Sequence, residues 1–185
     1  MLFMTTIHAR VMDMFNKGDY VSYRSEGVCK ISDIRNENFS GAEGGVAYYI
    51  LSPVNDTRST LFVPIDNDRL IAMMRPLLSP EQIVALCAEL RDERMPWIEE
   101  NRARGAAFRD ILADGDRGRL IVLVNTVAER IEKQQTEGKR PLGTDLNAVI
   151  RAVHLLYEEF SATTDLSSPE EILALLRGER PLVAK

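Results

Sequence analysis

The sequence predicts an α+β fold in two parts, a small β barrel followed by an all-α domain of about five helices. Two patterns carry this prediction. From Phe15 to Arg75 apolar residues recur in short segments divided by Gly, Asn, Asp and Pro, as brief strands and tight turns require. From Ser79 onward they recur at i, i+3, i+4 and i+7 behind recognisable helix starts. The change of period gives a lead-in at residues 1–13, a barrel at 14–75 and a helical domain at 79–185.

In the first part, Asn16-Lys17-Gly18-Asp19 is a turn, and Tyr20-Val21-Ser22-Tyr23 after it alternates as a half-buried strand would. Gly27 punctuates, and Val28 to Ile34 reads as a second strand. Ser40-Gly41-Ala42-Glu43-Gly44-Gly45 is a flexible loop. Val46 to Leu51 and Thr60 to Val63 are further strands on either side of the turn-rich Pro53-Val54-Asn55-Asp56-Thr57. Four or five strands so close together suit a small barrel, which leaves few exposed edges.

The helices announce their starts. Ser79-Pro80-Glu81-Gln82 is a capping box with Pro at the first helical position, and Ile83, Leu86, Cys87 and Leu90 follow on one face. Pro96 breaks the chain, and a second helix is expected from about Trp97 to Ala113, with Gly115 supplying a left-handed cap. A third opens near Asp116, carries Leu120, Leu123, Val124, Val127 and Ile131, and ends at Gly138. The fourth follows Gly143 with Thr144 as N-cap and is expected to bury Leu146, Val149, Ile150, Val153, Tyr157 and Phe160. A second capping box, Ser168-Pro169-Glu170-Glu171, opens a short fifth helix with Ile172, Leu175 and Leu176.

Apolar residues make up 45% and charged residues 28% of the 185, a globular balance that argues against disorder. No apolar run approaches the roughly 20 residues of a membrane span, so a soluble, cytoplasmic protein without membrane contact is expected. Met1 to Ile7 is apolar but lacks a basic leader and is too short for a signal peptide, which predicts a disordered or loosely packed lead-in. Cys29 and Cys87 fall on apolar stripes in different parts and read as buried free thiols of a reducing compartment. The net charge is −5; residues 1–79 carry 8 basic and 9 acidic side chains, residues 80–185 carry 15 and 19. Neither part is basic, so nucleic-acid contact would be local and delivered by a partner, because non-specific affinity for DNA comes mainly from Lys and Arg on phosphates.

Catalytic constellations do not form. His8 and His154 have no Cys or His near them at a metal-ligand spacing. Gly41, Gly44 and Gly45 lack the Lys-Ser or Lys-Thr of a phosphate loop. Glu99-Glu100, Glu158-Glu159 and Glu170-Glu171 are adjacent pairs whose side chains diverge on a helix. A binding protein is expected, with no catalytic residue, cofactor or metal, and a monomer.

Two groups of residues could bind. Tyr20, Tyr23, Tyr48, Tyr49 and Phe62 lie on short strands; most should face the core, and the remainder could flank an edge to which another protein adds a strand. Arg91 to Arg104 holds the only tryptophan, Trp97, and four arginines, while Arg102 and Arg109 lie seven apart on one helix face. An aromatic ring beside arginines is what a minor-groove wedge uses. Trp97, Arg104, Phe108 and Ile111 also share a helical stripe, so core packing competes with that reading.

Together these residues resemble the CarD family of bacterial RNA polymerase-binding proteins, whose N-terminal module also occurs in the transcription-repair coupling factor. The likeness begins at Met14-Phe15-Asn16-Lys17-Gly18-Asp19-Tyr20-Val21-Ser22-Tyr23 and continues through Ser25-Glu26-Gly27-Val28, Tyr48-Tyr49-Ile50-Leu51 and Phe62-Val63-Pro64. It extends through Trp97, Phe108, Gly115-Asp116, Leu120 and Leu155-Leu156-Tyr157-Glu158-Glu159. The resemblance implies a Tudor-like barrel that docks on the polymerase β subunit, through Tyr49, Leu51, Phe62 and Pro64. It also implies a helical domain that contacts promoter DNA within the polymerase complex and modulates open-complex stability, through Trp97, Asn101, Arg102, Arg104 and Arg109. Phe62 stands where many relatives carry a polymerase-contacting arginine, and Asn101, one turn beyond Trp97, occupies the usual wedge position. Residues 1–13 have no counterpart in the family, which makes Met12 or Met14 a candidate start. The alternative is a protein-protein adaptor on polymerase with no DNA contact.

Overall fold

A computed structural model describes residues 15–39 and 45–185. The expected lead-in at 1–13, the candidate starts Met12 and Met14, His8, and the loop glycines Gly41 and Gly44 lie outside these residues. The chain divides into two compact units, one ending at Pro76 and the other beginning at Leu77.

The first unit is a five-stranded antiparallel sheet: β1 (Tyr20–Tyr23), β2 (Val28–Glu37), β3 (Val46–Pro53), β4 (Leu61–Pro64) and β5 (Met74–Pro76), with one helical turn, α1 (Asp68–Ile71), before β5. The strand order is β4-β3-β2-β1-β5. The sheet is open, which corrects the expected closed barrel: among the described residues β4 pairs only with β3 and β5 only with β1. Both edge strands are short and end in proline, Pro64 and Pro76, which cannot donate to a further ladder. The core beneath the sheet holds Phe15, Val21, Tyr23, Cys29, Ile31, Tyr49, Leu51, Val63, Ile65, Ile71 and Met74.

Two local features place these side chains. The register of β2 against β3 shifts between Ile31 and Asp33, so the core-facing positions pass from Cys29 and Ile31 to Ile34. Gly27, at φ 72, turns β1 into β2 in a conformation that side chains with a Cβ seldom adopt. The expected alternation of β1 gives way to three consecutive buried residues, Val21, Ser22 and Tyr23, on a strand that lies inside the sheet between β2 and β5.

The second unit holds five helices: α2 (Pro80–Glu89), α3 (Asn101–Asp114), α4 (Arg117–Thr136), α5 (Gly143–Phe160) and α6 (Glu171–Arg177). Ser79 and Gln82 form the reciprocal capping box on α2. Asp116 caps α4 through the Arg119 amide, and Gly115 closes α3 at φ 66. Helix α3 starts at Asn101 with Glu100 as N-cap, so Trp97 lies in an extended segment before it and not on its face. Thr144 is not a cap: α5 begins at Gly143 after Leu142, with no side-chain cap. Nor does α5 bury Leu146 and Ile150. It turns inward Asp145, Ala148, Ala152, Leu155, Leu156, Glu159 and Phe160, because the two alanines permit close packing and the carboxylates meet the buried Arg104 and the partly buried Arg117. Helix α6 begins two residues later than its motif suggests, and Glu171 supplies the reciprocal half of that motif by accepting from the Ser168 amide.

Candidate binding surfaces

The face of the sheet opposite the first unit's core carries an aromatic cluster. Cross-strand partners share a face. Tyr49 opposite Val63 and Leu51 opposite Leu61 point to the core, whereas Tyr48 opposite Pro64 and Ile50 opposite Phe62 point away from it. Phe39, just beyond β2, completes the cluster. Its ring centroid lies 5.0 Å from that of Phe62 and 5.4 Å from that of Tyr48, both edge to face, and Tyr48 meets Phe62 at 6.3 Å. Phe39 is 65% exposed and Phe62 38%, so a favourable aromatic arrangement is held largely in water, beside the unpaired edge of β4.

A charged ladder runs along the same face. Lys17 meets Asp33 at 3.0 Å, and Arg35, opposite Tyr48, bridges Asp33 at 3.3 Å and Glu37 at 2.6 Å. The Lys17 hydrogen bond holds the Asp33 carboxyl below the usual range, and Glu37 raises the Arg35 guanidinium. Of the four residues expected to contact a polymerase, Phe62 and Pro64 lie on this edge strand. Tyr49 and Leu51 do not: both are fully buried, and desolvation raises the Tyr49 phenol. Their place is the core, which removes them as contact residues. Tyr48, one of the strand aromatics considered for an exposed edge, lies on this face together with Phe39 and Arg35, which the sequence did not single out. Strand parity finds Tyr48, since a buried Tyr49 sends its neighbour to the other face; Phe39 follows only from the three-dimensional arrangement.

In the second unit, Trp97 packs half-buried against the helical core. The Arg104 and Arg130 guanidinium carbons lie over its ring, 4.6 and 5.1 Å from the centroid. Arg104 is buried and all five of its N–H donors are engaged. Nε and Nη2 donate to Asp145 at 3.0 and 3.2 Å, Nη1 to the Ile98 and Glu99 carbonyls at 2.8 and 3.2 Å, and Nη2 also to Asn101 Oδ1 at 2.9 Å. None is left for a phosphate, which corrects its assignment as a DNA contact. Asn101 is exposed, with its amide oxygen committed to Arg104. Arg102 and Arg109 are exposed on α3. A cavity of ≈ 230 Å³ beside Trp97 is lined by Arg94, Thr126, Glu129, Arg130 and Lys133.

Among the described residues no group of three or more His, Cys, Asp or Glu side chains could hold a metal ion. No helix among them is long and apolar enough to cross a membrane. What both surfaces offer is contact area and charge, the equipment of a binding protein. Residues 15–78 match the CarD-like/TRCF RID domain, so the first unit is similar to that domain. The match ends before α2 and covers about a third of the sequence. Comparison with curated proteins gave no match.

Proposed function

We propose that this chain is a transcription regulator that tethers to the β subunit of RNA polymerase through its first unit and touches promoter DNA through its second, only within that complex. The observation that carries the reading is the coincidence of the CarD-like/TRCF RID match with an exposed aromatic cluster at the unpaired β4 edge. The unit acts as a Tudor-like docking module whose β4 offers unpaired backbone groups for strand addition, while Phe62, Pro64, Tyr48 and Phe39 bury against the partner. DNA contact falls to Arg102 and Arg109, with Asn101 at the start of α3; Trp97 and Arg104 hold the segment that leads into it.

Footprinting and open-complex lifetimes on a promoter, with purified polymerase, test the reading. The wild-type chain should alter the lifetime, and Arg102→Ala with Arg109→Ala should remove most of that effect while leaving the fold and polymerase binding intact. The second reading, an adaptor on polymerase without DNA contact, is favoured by the acidic balance of residues 80–185 and by the internal use of Arg104. An unchanged effect of the arginine variants would put it ahead.

A further inference from the structure

Helix α5 presents to solvent a stripe that the core leaves unused. Leu142, Leu146 and Ile150, each one turn apart and therefore on one face, are 42, 37 and 56% exposed. Their exposure follows from the way the helix is locked. Asp145 and Glu159 face inward to the buried Arg104 and the partly buried Arg117, and rolling the helix to cover the stripe would tear both pairs out. Single exposed leucines are ordinary, but three aligned on a fixed helix form a contiguous apolar patch.

Between Arg140 and Tyr157 the exposed charge beside the stripe has one sign. Arg140 and Arg151 are exposed and have no ion-pair partner among the described residues. The Arg109 guanidinium reaches the crossing of α3 and α5: a Cβ built on Gly105 would stand 3.6 Å from Arg109 Nη1 and 3.4 Å from Thr144 Cγ2. Between Arg140 and Tyr157 the only carboxylate is Asp145, which is buried and paired. A cationic, aliphatic face thus stands on a unit whose residues 80–185 are acidic on balance.

We infer that this face docks an acidic amphipathic helix of a partner protein, with aliphatic side chains on Leu142, Leu146 and Ile150 and carboxylates on Arg109, Arg140 and Arg151. A second copy of the chain fits poorly, since like charges would meet and three part-exposed side chains fall far short of the roughly 800 Å² per partner of a stable interface. A phosphate backbone would satisfy the arginines and leave the aliphatic stripe in water. The inference does not rest on docking of the first unit to polymerase; it shares only Arg109 with the proposed DNA contact, and the substitutions used to test it leave Arg109 in place.

The test is fluorescence anisotropy of a labelled synthetic helical peptide, with Leu at i, i+4 and i+7 flanked by Glu, titrated with the full chain. A control peptide carries Lys in place of Glu. The Glu peptide should bind in the micromolar range, weaken as salt rises, and lose at least tenfold with Ile150→Glu or Arg151→Glu. Both positions are exposed, so melting and polymerase binding should be unchanged. No binding of the Glu peptide, equal binding of the Lys peptide, or insensitivity to both substitutions would overturn the inference. So would a dimer in sedimentation that Ile150→Glu dissociates.

Discussion

Arg104 shows how a residue's chemistry depends on a partner that spacing along the chain does not reveal. In the sequence it belongs to a run of arginines beside a tryptophan. In the fold its planar fork meets Asp145, 41 positions away, together with two carbonyls that fix the segment before α3. Removing either partner leaves a charge buried without its counterpart, so Arg104→Ala or Asp145→Ala should destabilise the protein by about 3–5 kcal/mol in denaturant titration. Arg104→Lys should recover little, because an ammonium cannot reproduce the fork. Trp97→Ala removes a half-buried ring beneath two guanidiniums, and should cost somewhat less than the ~3–5 kcal/mol of a fully buried tryptophan. The thiols were legible from their apolar stripes: both are buried, and neither is in a disulfide. Burial pushes Cys87 up to about 11, against the opposing pull of Arg91, so at pH 8 a thiol reagent should label it slowly in the native protein and rapidly after denaturation.

At the scale of elements, what the sequence disclosed is local and what it concealed is long-range. The capping box on α2, the Gly115 cap and the Asp116 start of α4 are interactions between near neighbours, and their residue types identify them. The orientation of α5 is different. Apolar residues occur nearly all round that helix, and the choice of buried face is made by Arg104 and Arg117 on other helices. The open sheet was equally hidden, since closure depends on whether β4 and β5 meet, which strand-like composition does not determine. Among the helix starts, α6 offers a pH test. Glu171 accepts from the Ser167 amide at 2.7 Å and pairs with Arg180 at 2.9 Å; these contacts, the amide first, lower its carboxyl to about 2. A carboxylate depressed by folding contributes its full stabilisation above the ordinary glutamate range, about 4.3, and loses it as pH falls through the folded value. The Ser167 amide resonance should therefore titrate with a midpoint near pH 2, and Glu171→Gln should abolish the step. A midpoint in the ordinary glutamate range would show that these contacts do not form in solution.

For the whole molecule, charge and topology act together. Residues 80–185 carry 15 basic and 19 acidic side chains, so few counterions can be released on binding DNA, and a gel shift with the free chain at physiological salt should show little complex. Under the proposed function, contact with promoter DNA then depends on delivery by the first unit, whose aromatic cluster lies on the sheet face away from its own core. The central claim is that Phe39, Tyr48, Phe62 and Pro64, beside the free edge of β4, form the polymerase-docking face. It is tested most directly by the affinity of the full chain for purified RNA polymerase β subunit, compared with that of Phe62→Glu and Phe39→Ser. Both side chains are exposed, so the variants should keep the wild-type melting temperature. The account predicts at least tenfold weaker binding for Phe62→Glu, because a carboxylate would be desolvated without a partner, and a smaller loss for Phe39→Ser. Wild-type affinity in both stably folded variants, or no binding by the wild-type chain, would contradict it.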